Sequence, residues 1–284
     1  MSRSVRMLAL IAAAALCVVA CSIVSRHYEK KFLTTAPNGP ETPGTVGAPY
    51  ERVTISSANR KLDGYMVRAP ANCQPQVAVL IFHGVQETIS EWVKAQRFLN
   101  DHCITSLVFD YSGHGDSSRP GTVRNLNQDV LAAYSFFVVS LPKDERVCVL
   151  GHSMGNGPML EVLPHFQPPP ACVVVANAFS SLRDEGLAHG MPRLLMWLTP
   201  DNWNNVKNVP SNHVPLMIVH SAADKVNAVE MGKRVYEAAK MPKEIVILQG
   251  FGHNALYKDP SEIWWAPVLR FIKGEGSSER SAPV

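Results

Sequence analysis

The feature that most constrains this chain is a short motif flanked by glycines. Residues 151–155 read Gly-His-Ser-Met-Gly, after the apolar run 147–150 and before a stretch that can be helical. The motif therefore predicts a strand, a tight turn and a helix in succession. Glycines at both ends let the strand and the helix approach without a Cβ clash. Such a turn holds Ser153 in a strained conformation at a helix N-terminus, where developing negative charge is favoured.

Short apolar runs alternate with helical patterns along the chain. Apolar, mostly β-branched runs are typical of strands buried on both faces of a parallel sheet. Strict alternation with helices favours a doubly wound α/β sheet, with functional residues in loops at the carboxyl ends of the strands. The predicted strands are 52–56 and 62–67, as an antiparallel hairpin, then 77–82, 106–109, 147–150, 172–176, 216–220 and 245–248, and the predicted helices are 90–100, 126–140, 154–166, 228–240 and 261–273.

Two residues downstream of Ser153 are candidates to activate its hydroxyl. A serine hydroxyl is a poor nucleophile without an adjacent base, and the base needs an acid to hold its tautomer. Asp224 follows the seventh predicted strand and His253 follows the eighth, so both are expected at the same sheet edge as Ser153. Asp184, after the sixth strand, is the alternative acid. The simpler interpretations make Asp224 an N-cap or turn aspartate and His253 a surface-loop histidine.

Two backbone N–H groups are expected to bind an oxyanion formed at the serine. One belongs to Met154, the residue after the serine, and the other to Val85, in the loop after the third predicted strand. His83 is interpreted as a structural residue that bonds the backbone of this loop. Gly84 is interpreted as the residue that permits its tight turn.

Further motifs accompany these candidates along the chain. They are His83-Gly84, Ile89-Ser-Glu-Trp92, Asp110-Tyr-Ser-Gly-His-Gly-Asp-Ser117, Gly151-His-Ser-Met-Gly155, Ala178-Phe-Ser-Ser-Leu-Arg-Asp184, His220-Ser-Ala-Ala-Asp224 and Gly252-His253-Asn254. Together they resemble the α/β-hydrolase superfamily of serine hydrolases, and within it the Bem46-like type. The resemblance covers residues 50–273. It implies the α/β-hydrolase fold, with a mostly parallel eight-stranded sheet, and hydrolysis of acyl bonds through an acyl-enzyme, with no cofactor and no metal.

Two positions depart from the pattern of that family. Relatives usually carry small residues after His-Gly, whereas Val85, Gln86 and Glu87 follow here. This puts the geometry and the charge of the oxyanion loop in question. Relatives often have glycine directly after the serine motif, where this chain has Asn156, so the start of the following helix is expected to be altered.

The first residues predict export from the cytoplasm. Two arginines in residues 1–6 precede an apolar stretch, which is typical of a signal peptide over residues 1–20. The run Val-Val-Ala before Cys21 resembles the lipobox of bacterial lipoproteins, in which the cysteine is lipidated. We therefore expect a bacterial cell-envelope protein anchored at the membrane through Cys21. The alternatives are a periplasmic or secreted protein after ordinary cleavage, and one with a single uncleaved anchor.

Four further cysteines lie in the predicted domain. An exported compartment permits disulfides. Cys73 and Cys103 precede neighbouring predicted strands, so a bridge between them at that end of the sheet is possible. Cys148 and Cys172 lie in buried-looking strands and are interpreted as small apolar fillers. No cysteine spacing is typical of a metal site.

Composition sets the expected boundaries. The chain has 284 residues, 46% of them hydrophobic, enough for one α/β domain over residues 50–273. Residues 21–49 are rich in Pro and Gly and are expected to be a flexible tether, and residues 274–284 a disordered tail. Within the insertion 179–213, residues 191–198 could form a short lid helix or simply pack on the core. The formal charge is +3, with no basic run interleaved with aromatic residues, so no nucleic-acid partner is expected.

These observations favour an exported serine esterase acting on a small-molecule acyl ester or thioester. A peptidase or amidase using the same residues is the second interpretation, and it is weaker because no propeller or large cap domain is present. A non-catalytic binding lipoprotein on the same fold is the third. A pure binder has no need of Ser153, Asp224 and His253 together.

Overall fold

A single central sheet organises the chain. A computed structural model describes Met7 and residues 33–73, 77–193 and 201–275. Within these residues the sheet has eight strands: β1 (Glu51–Ser57), β2 (Arg60–Val67), β3 (Val77–Phe82), β4 (Ile104–Phe109), β5 (Arg146–His152), β6 (Cys172–Ala176), β7 (Leu216–Ser221) and β8 (Lys243–Leu248). Their order is 1-2-4-3-5-6-7-8. β1 and β2 form a hairpin, β2 pairs antiparallel with β4, and the other pairs are parallel, which confirms the predicted sheet.

Helices of the described residues connect these strands. They are α1 (Val93–Asp101), α2 (Val123–Val139), α3 (Asn156–Val162), α4 (Leu182–Ala188), α5 (Asn205–Asn208), α6 (Val229–Ala238), α7 (Ala255–Lys258) and α8 (Glu262–Lys273). Short 3-10 turns lie at Pro43–Val46, Ile89–Trp92, Ser153–Gly155, Leu163–His165 and Val209–Ser211. The helix predicted over 154–166 is thus divided into α3 and two flanking turns, and the second turn contains Pro164, which has no N–H to continue the helix.

The helices cover the sheet on both faces, and each face has its own hydrophobic core. Adjacent residues of β3 show the division, because Leu80 belongs to the core under α2 and Val79 to the core under α1 and α8. Alternate strand residues point to opposite faces. Both are fully buried, which explains why the strand is a continuous apolar run.

The strand order determines where the candidate residues meet. β5, β6, β7 and β8 are consecutive parallel neighbours in the sheet. Their carboxyl ends therefore lie along one edge, and so do the loops that follow them. These loops carry Ser153, Asp184, Asp224 and His253.

Residues 33–49 depart from the tether expected over 21–49. Leu33 is only 2% exposed, and Pro43–Val46 form a 3-10 turn. The Thr35 N–H donates to the Gly113 carbonyl at 3.1 Å, and Arg97 donates to the Gly47 carbonyl at 2.6 Å. The prediction of a flexible tether was wrong for residues 33–49. These residues contact other parts of the domain, and a proline-rich sequence does not by itself reveal such contacts. Residues 21–32 lie outside the described residues.

Both pairs of cysteines in the domain form disulfides. Cys73 is bonded to Cys103, with their Cα atoms 5.5 Å apart, at the end of the sheet where the sequence allows a bridge. Cys148 is bonded to Cys172, so their interpretation as apolar fillers was wrong. The register of β5 against β6 puts these two residues directly opposite each other, with Cα atoms 4.8 Å apart. Side-by-side strand positions at this spacing allow a bridge.

Several terminal and insertion features fall partly outside the described residues. This group contains the signal peptide apart from Met7, the lipidation site Cys21, and the tail from residue 276 onward. It also contains residues 194–198 of the lid helix expected over 191–198. The insertion contributes α4 and α5. None of the helices in the described part combines the length and the apolar character that a bilayer crossing requires.

Candidate active site

Ser153 lies at the turn between β5 and α3. Its φ angle is +50°, in the left-handed region that residues with a Cβ rarely occupy. The 3-10 turn Ser153–Gly155 follows at once and leads into α3. The strand, turn and helix that the motif predicted are all present. Strain of this kind persists only where the surrounding structure imposes it, and it is concentrated at functional sites.

The two glycines of the motif are required by close approach. A Cβ on Gly155 would lie 2.1 Å from the Phe82 carbonyl oxygen, and a Cβ on Gly151 would lie 2.6 Å from Asn156 Oδ1. Neither distance can be accommodated without moving the backbone or the side chain that it meets. The glycines therefore allow the turn to pack against β3 and against the start of α3, as the sequence predicted.

Asp224 and His253 are joined by a hydrogen bond. The imidazole Nδ1 of His253 lies 2.6 Å from Asp224 Oδ2. The other carboxylate oxygen, Oδ1, accepts from the N–H groups of Val226 at 2.8 Å and Asn227 at 2.9 Å. The aspartate side chain is fully buried, and the histidine side chain is nearly so. The loops after β7 and β8 thus bring together two residues that the sequence places 29 positions apart.

Electrostatics suit His253 to act as a base. Burial lowers its pKa below the usual 6.5, and the hydrogen bond to Asp224 opposes this effect only partly. The imidazole is therefore neutral at pH 7 and able to accept a proton. Burial alone would raise the pKa of Asp224, but the hydrogen bonds from His253 and from two backbone N–H groups hold it below its usual value. The carboxylate is accordingly ionised and fixes the histidine tautomer.

The alternative acid, Asp184, is engaged elsewhere. It lies in the first turn of α4, where its N–H donates to Ser181 Oγ at 3.1 Å. Its carboxylate accepts from Ser180 Oγ at 2.6 Å and lies 3.3 Å from Arg234. These contacts are those of a helix-start residue in an ion pair. The geometry therefore favours Asp224 over Asp184 as the partner of the histidine.

The predicted oxyanion residues lie beside the serine. Val85 and Met154 line the same cavity as Ser153. Asn156, where relatives often have glycine, donates from Nδ2 to the Ser153 carbonyl at 3.1 Å and to the Ala176 carbonyl at 2.9 Å. Its side chain thus ties the start of α3 to the end of β6 and compensates for the departure from the family pattern.

The cavity in front of Ser153 is mostly apolar. Its volume is about 540 Å³. The insertion forms much of the wall, and Leu33 from the N-terminal segment also contributes. Glu185 and His189 add polar groups to the wall, and Glu185 Oε1 lies 2.9 Å from His189 Nε2. Burial raises the pKa of Glu185. Its apolar lining residues include Leu33, Val85, Phe179, Leu182, Met191 and Trp203.

Two residues near the serine, His152 and Glu87, have a role that the sequence did not reveal. The His152 Nδ1 atom lies 3.1 Å from Glu87 Oε1, and both side chains are buried. His152 Nε2 lies 3.0 Å from the carbonyl oxygen of His253. The available signal was Glu87 itself, an acidic residue where relatives have small ones. Its partner could not be named, because His152 is 65 positions away in the sequence and meets it only in the folded chain.

His83 has the structural role expected for it. It is fully buried, and its Nδ1 lies 2.9 Å from the Gly84 carbonyl. Burial lowers its pKa to about 4, so the ring is neutral. In the described part of the chain, no three His, Cys, Asp or Glu side chains come together in a way that could hold a metal ion.

Part of the chain is similar in sequence to known hydrolases. Residues 73–208 match the family described as serine aminopeptidase, S33, a range that contains Ser153 but neither Asp224 nor His253. An uncharacterized protein of Mycobacterium tuberculosis is 27% identical over 178 residues, which are 62% of this chain and 63% of that protein. The lysophosphatidylserine lipase ABHD12 of Mus musculus is 22% identical over 272 residues, 85% of this chain and 67% of the lipase. The chain thus spans about two thirds of the length of these relatives.

Solved structures show the same fold. The esterase Pf2001 of Pyrococcus furiosus superposes with a TM-score of 0.69 at 21% identity, covering 85% of this chain and 98% of the esterase. An acylaminoacyl peptidase of Pyrococcus horikoshii gives a TM-score of 0.63 at 13% identity, covering 85% of this chain and 44% of the peptidase. The narrower assignment to the Bem46-like type stays a prediction. Together with the sheet order and the serine turn, these similarities show that the chain has the α/β-hydrolase fold.

Proposed function

We propose that this chain is a serine hydrolase that cleaves carboxylic esters or thioesters. The observation that carries the proposal is the convergence of Ser153, on a strained turn, with the Asp224–His253 pair at one sheet edge. His152, the residue before the serine, contacts the His253 carbonyl, so the two parts are physically joined. A nucleophile, a base and an orienting acid are the groups that acyl transfer requires.

The reaction follows from these positions. Ser153 Oγ attacks the acyl carbon while His253 Nε2 takes its proton, and the carbonyl π electrons move onto the oxygen. The N–H groups of Val85 and Met154 stabilise that oxyanion. The bond to the leaving alcohol or thiol then breaks, and the leaving group takes the proton from His253. Water, activated by the same histidine, attacks the acyl-enzyme in turn and releases the carboxylic acid and Ser153.

The cavity supports an apolar acyl group as substrate. A volume of about 540 Å³ with a mostly apolar wall suits an acyl chain better than a charged peptide. Met154 and Met191 add adaptable side chains to that wall. The similarity to a lipase and to an esterase supports ester cleavage.

A peptidase or amidase is the second candidate. The matching family is described as a serine aminopeptidase, and one structural neighbour is an acylaminoacyl peptidase. Ester and amide cleavage use the same groups, but an amine is a poorer leaving group than an alcohol or a thiol and depends more strongly on the proton from the histidine. Parallel assays with p-nitrophenyl esters and aminoacyl p-nitroanilides separate the two candidates, since the proposal expects turnover of the esters to exceed that of the anilides.

Labelling with a fluorophosphonate probe tests the proposal directly. The wild type should be labelled and Ser153→Ala should not, with circular dichroism showing that both are folded. Hydrolysis of p-nitrophenyl esters of increasing chain length then measures the acyl preference. A folded wild type that neither labels nor hydrolyses any ester would contradict the proposal and favour a non-catalytic binding protein.

We also propose that the domain is held at the cell-envelope membrane through a lipidated Cys21. The apolar stretch before this cysteine and the small residue at Ala20 support the proposal. Cys21→Ser should abolish incorporation of labelled palmitate in a bacterial host and release the protein from the membrane fraction. Retention of Cys21→Ser in membranes would favour an uncleaved anchor instead.

A further inference from the structure

Glu87 is a buried carboxylate in the loop that carries Val85. It is 6% exposed. Its Oε2 accepts from the Gly84 N–H at 2.8 Å and from Trp92 Nε1 at 2.9 Å. A Cβ on Gly84 would lie 2.4 Å from Glu87 Oε1, so the glycine is what lets the carboxylate fold back onto its own loop. The shape of the oxyanion loop therefore depends on this carboxylate.

His152 connects that carboxylate to the other side of the site. The side chain is fully buried, with Nδ1 3.1 Å from Glu87 Oε1 and Nε2 3.0 Å from the His253 carbonyl oxygen. Each ring nitrogen thus lies close to an oxygen atom of another loop. Burial would raise the pKa of Glu87, but the charge of His152 and its hydrogen bonds lower it to about 2, which keeps the carboxylate ionised.

The His253 backbone is held at two points. Its carbonyl oxygen accepts from His152 and also from Asn177 Nδ2 at 2.6 Å. Its side chain is held separately by Asp224. The loops after β3, β5 and β8 are therefore joined through a single buried ion pair. A buried ion pair contributes little net stability. Stability alone therefore does not explain why the Glu87–His152 pair lies between these three loops.

We infer that Glu87 and His152 are positioning residues for the proposed hydrolase, and that their ion pair holds both Val85 and His253 in register with Ser153. The inference rests on the proposed function and adds two residues to it. Neither side chain lines the cavity, so neither touches substrate. The pair acts on the reaction through the Val85 N–H and the imidazole of His253. A shift of about 1 Å in such groups lowers the rate by as much as about a hundredfold.

Glu87→Gln is the first variant to measure. Glutamine keeps the size and one acceptor oxygen but removes the negative charge beside His152. We expect kcat for a p-nitrophenyl ester to fall by about 10- to 100-fold while KM changes by less than about threefold, because groups that act on the transition state are displaced and the apolar cavity is not. His152→Gln should behave similarly. The double variant Glu87→Gln/His152→Gln should lose no more than either single variant, since the two residues act as a unit.

Asp129→Asn is the matched control. Asp129 is also fully buried and ion-paired, with Arg60 at 3.0 Å, but it lies on α2, away from the loops after β3, β5 and β8. Its loss should lower the melting temperature and leave kcat unchanged. Equal kcat in Glu87→Gln and the wild type, or equal losses in Glu87→Gln and Asp129→Asn, would overturn the inference. If Glu87→Gln alone does not fold, the double variant, which leaves no unpaired buried charge, decides by the same criterion.

Hydrogen–deuterium exchange separates this inference from the proposed function. In Glu87→Gln, amides of residues 83–87 and 250–254 should both exchange faster than in the wild type and in Asp129→Asn. A wild type without turnover would overturn the proposed function, and the exchange result would then still decide the positioning role. Unchanged exchange in either loop would overturn the inference even if the wild type is an active esterase.

Discussion

The Nδ1 atom of His253 lies 2.6 Å from Oδ2 of Asp224, and this hydrogen bond joins the loops after two adjacent parallel strands. Ser153 belongs to the loop after β5, and β5 is separated from β7 by one strand, β6. The three side chains thus stand along one edge because the strands that precede them are parallel. The serine, the acid and the histidine follow one another along the chain in the same order as β5, β7 and β8, the strands that precede them.

The acid assignment can be tested by a pair of variants. Asp224→Asn should lower kcat by about 10²- to 10⁴-fold, because the amide favours the wrong tautomer of His253 and cannot stabilise the imidazolium. Asp184→Asn should keep nearly full activity, since that carboxylate contacts Ser180 and Arg234. Steady-state kinetics on one ester would decide, and the reverse pattern would make Asp184 the acid.

The strain at Ser153 can be measured with two inactive variants. Ser153→Ala and Ser153→Gly both remove the hydroxyl, so both should abolish turnover. Because φ is +50° here and the left-handed region costs a residue with a Cβ about 1–2 kcal/mol, the glycine variant should unfold with a free energy about 1 kcal/mol higher than the alanine variant. Urea denaturation of both proteins gives that difference, and equal stabilities would show that the turn is unstrained.

The pH dependence of kcat/KM should reflect His253. Only the neutral imidazole accepts the proton of Ser153, so activity rises as the pH increases through the pKa of the histidine. Burial lowers that pKa below 6.5, and the acidic limb should therefore lie below pH 6.5. In Asp224→Asn the residual activity should show a limb at still lower pH, since the hydrogen bond from Asp224 favours the charged histidine. A limb that moves to higher pH would contradict this arrangement.

The packing of the serine turn predicts a sharp contrast between two glycines. Gly155→Ala places a Cβ 2.1 Å from the Phe82 carbonyl oxygen and should lower the free energy of unfolding by about 3 kcal/mol or more. Gly252→Ala meets no atom within 4 Å and should change it by less than about 0.5 kcal/mol. Thermal melts of the two variants provide the comparison, and similar melting temperatures would show that the turn can shift to make room.

The sequence was sufficient for the strands and for the order of the candidate residues. Apolar runs such as Val77–Phe82 and Cys172–Ala176 are readable because a strand buried on both faces has no polar positions. The serine motif is readable because Gly151 and Gly155 stand where a Cβ would clash. Loops that follow parallel strands meet at one edge, so the sequence alone predicts that Asp224 and His253 lie near Ser153.

The tertiary structure alone decided which residues from distant segments touch. The pairing of Cys148 with Cys172 depends on the register of β5 against β6, and register has no signature in a continuous apolar run. The burial of Leu33 depends on a surface provided by other loops. Glu87 could be recognised as unusual, but its partner His152 comes from a different strand, and only the folded sheet brings the two within 3.1 Å. Local patterns determine local structure, whereas contacts between loops depend on strand order, register and the space left between them.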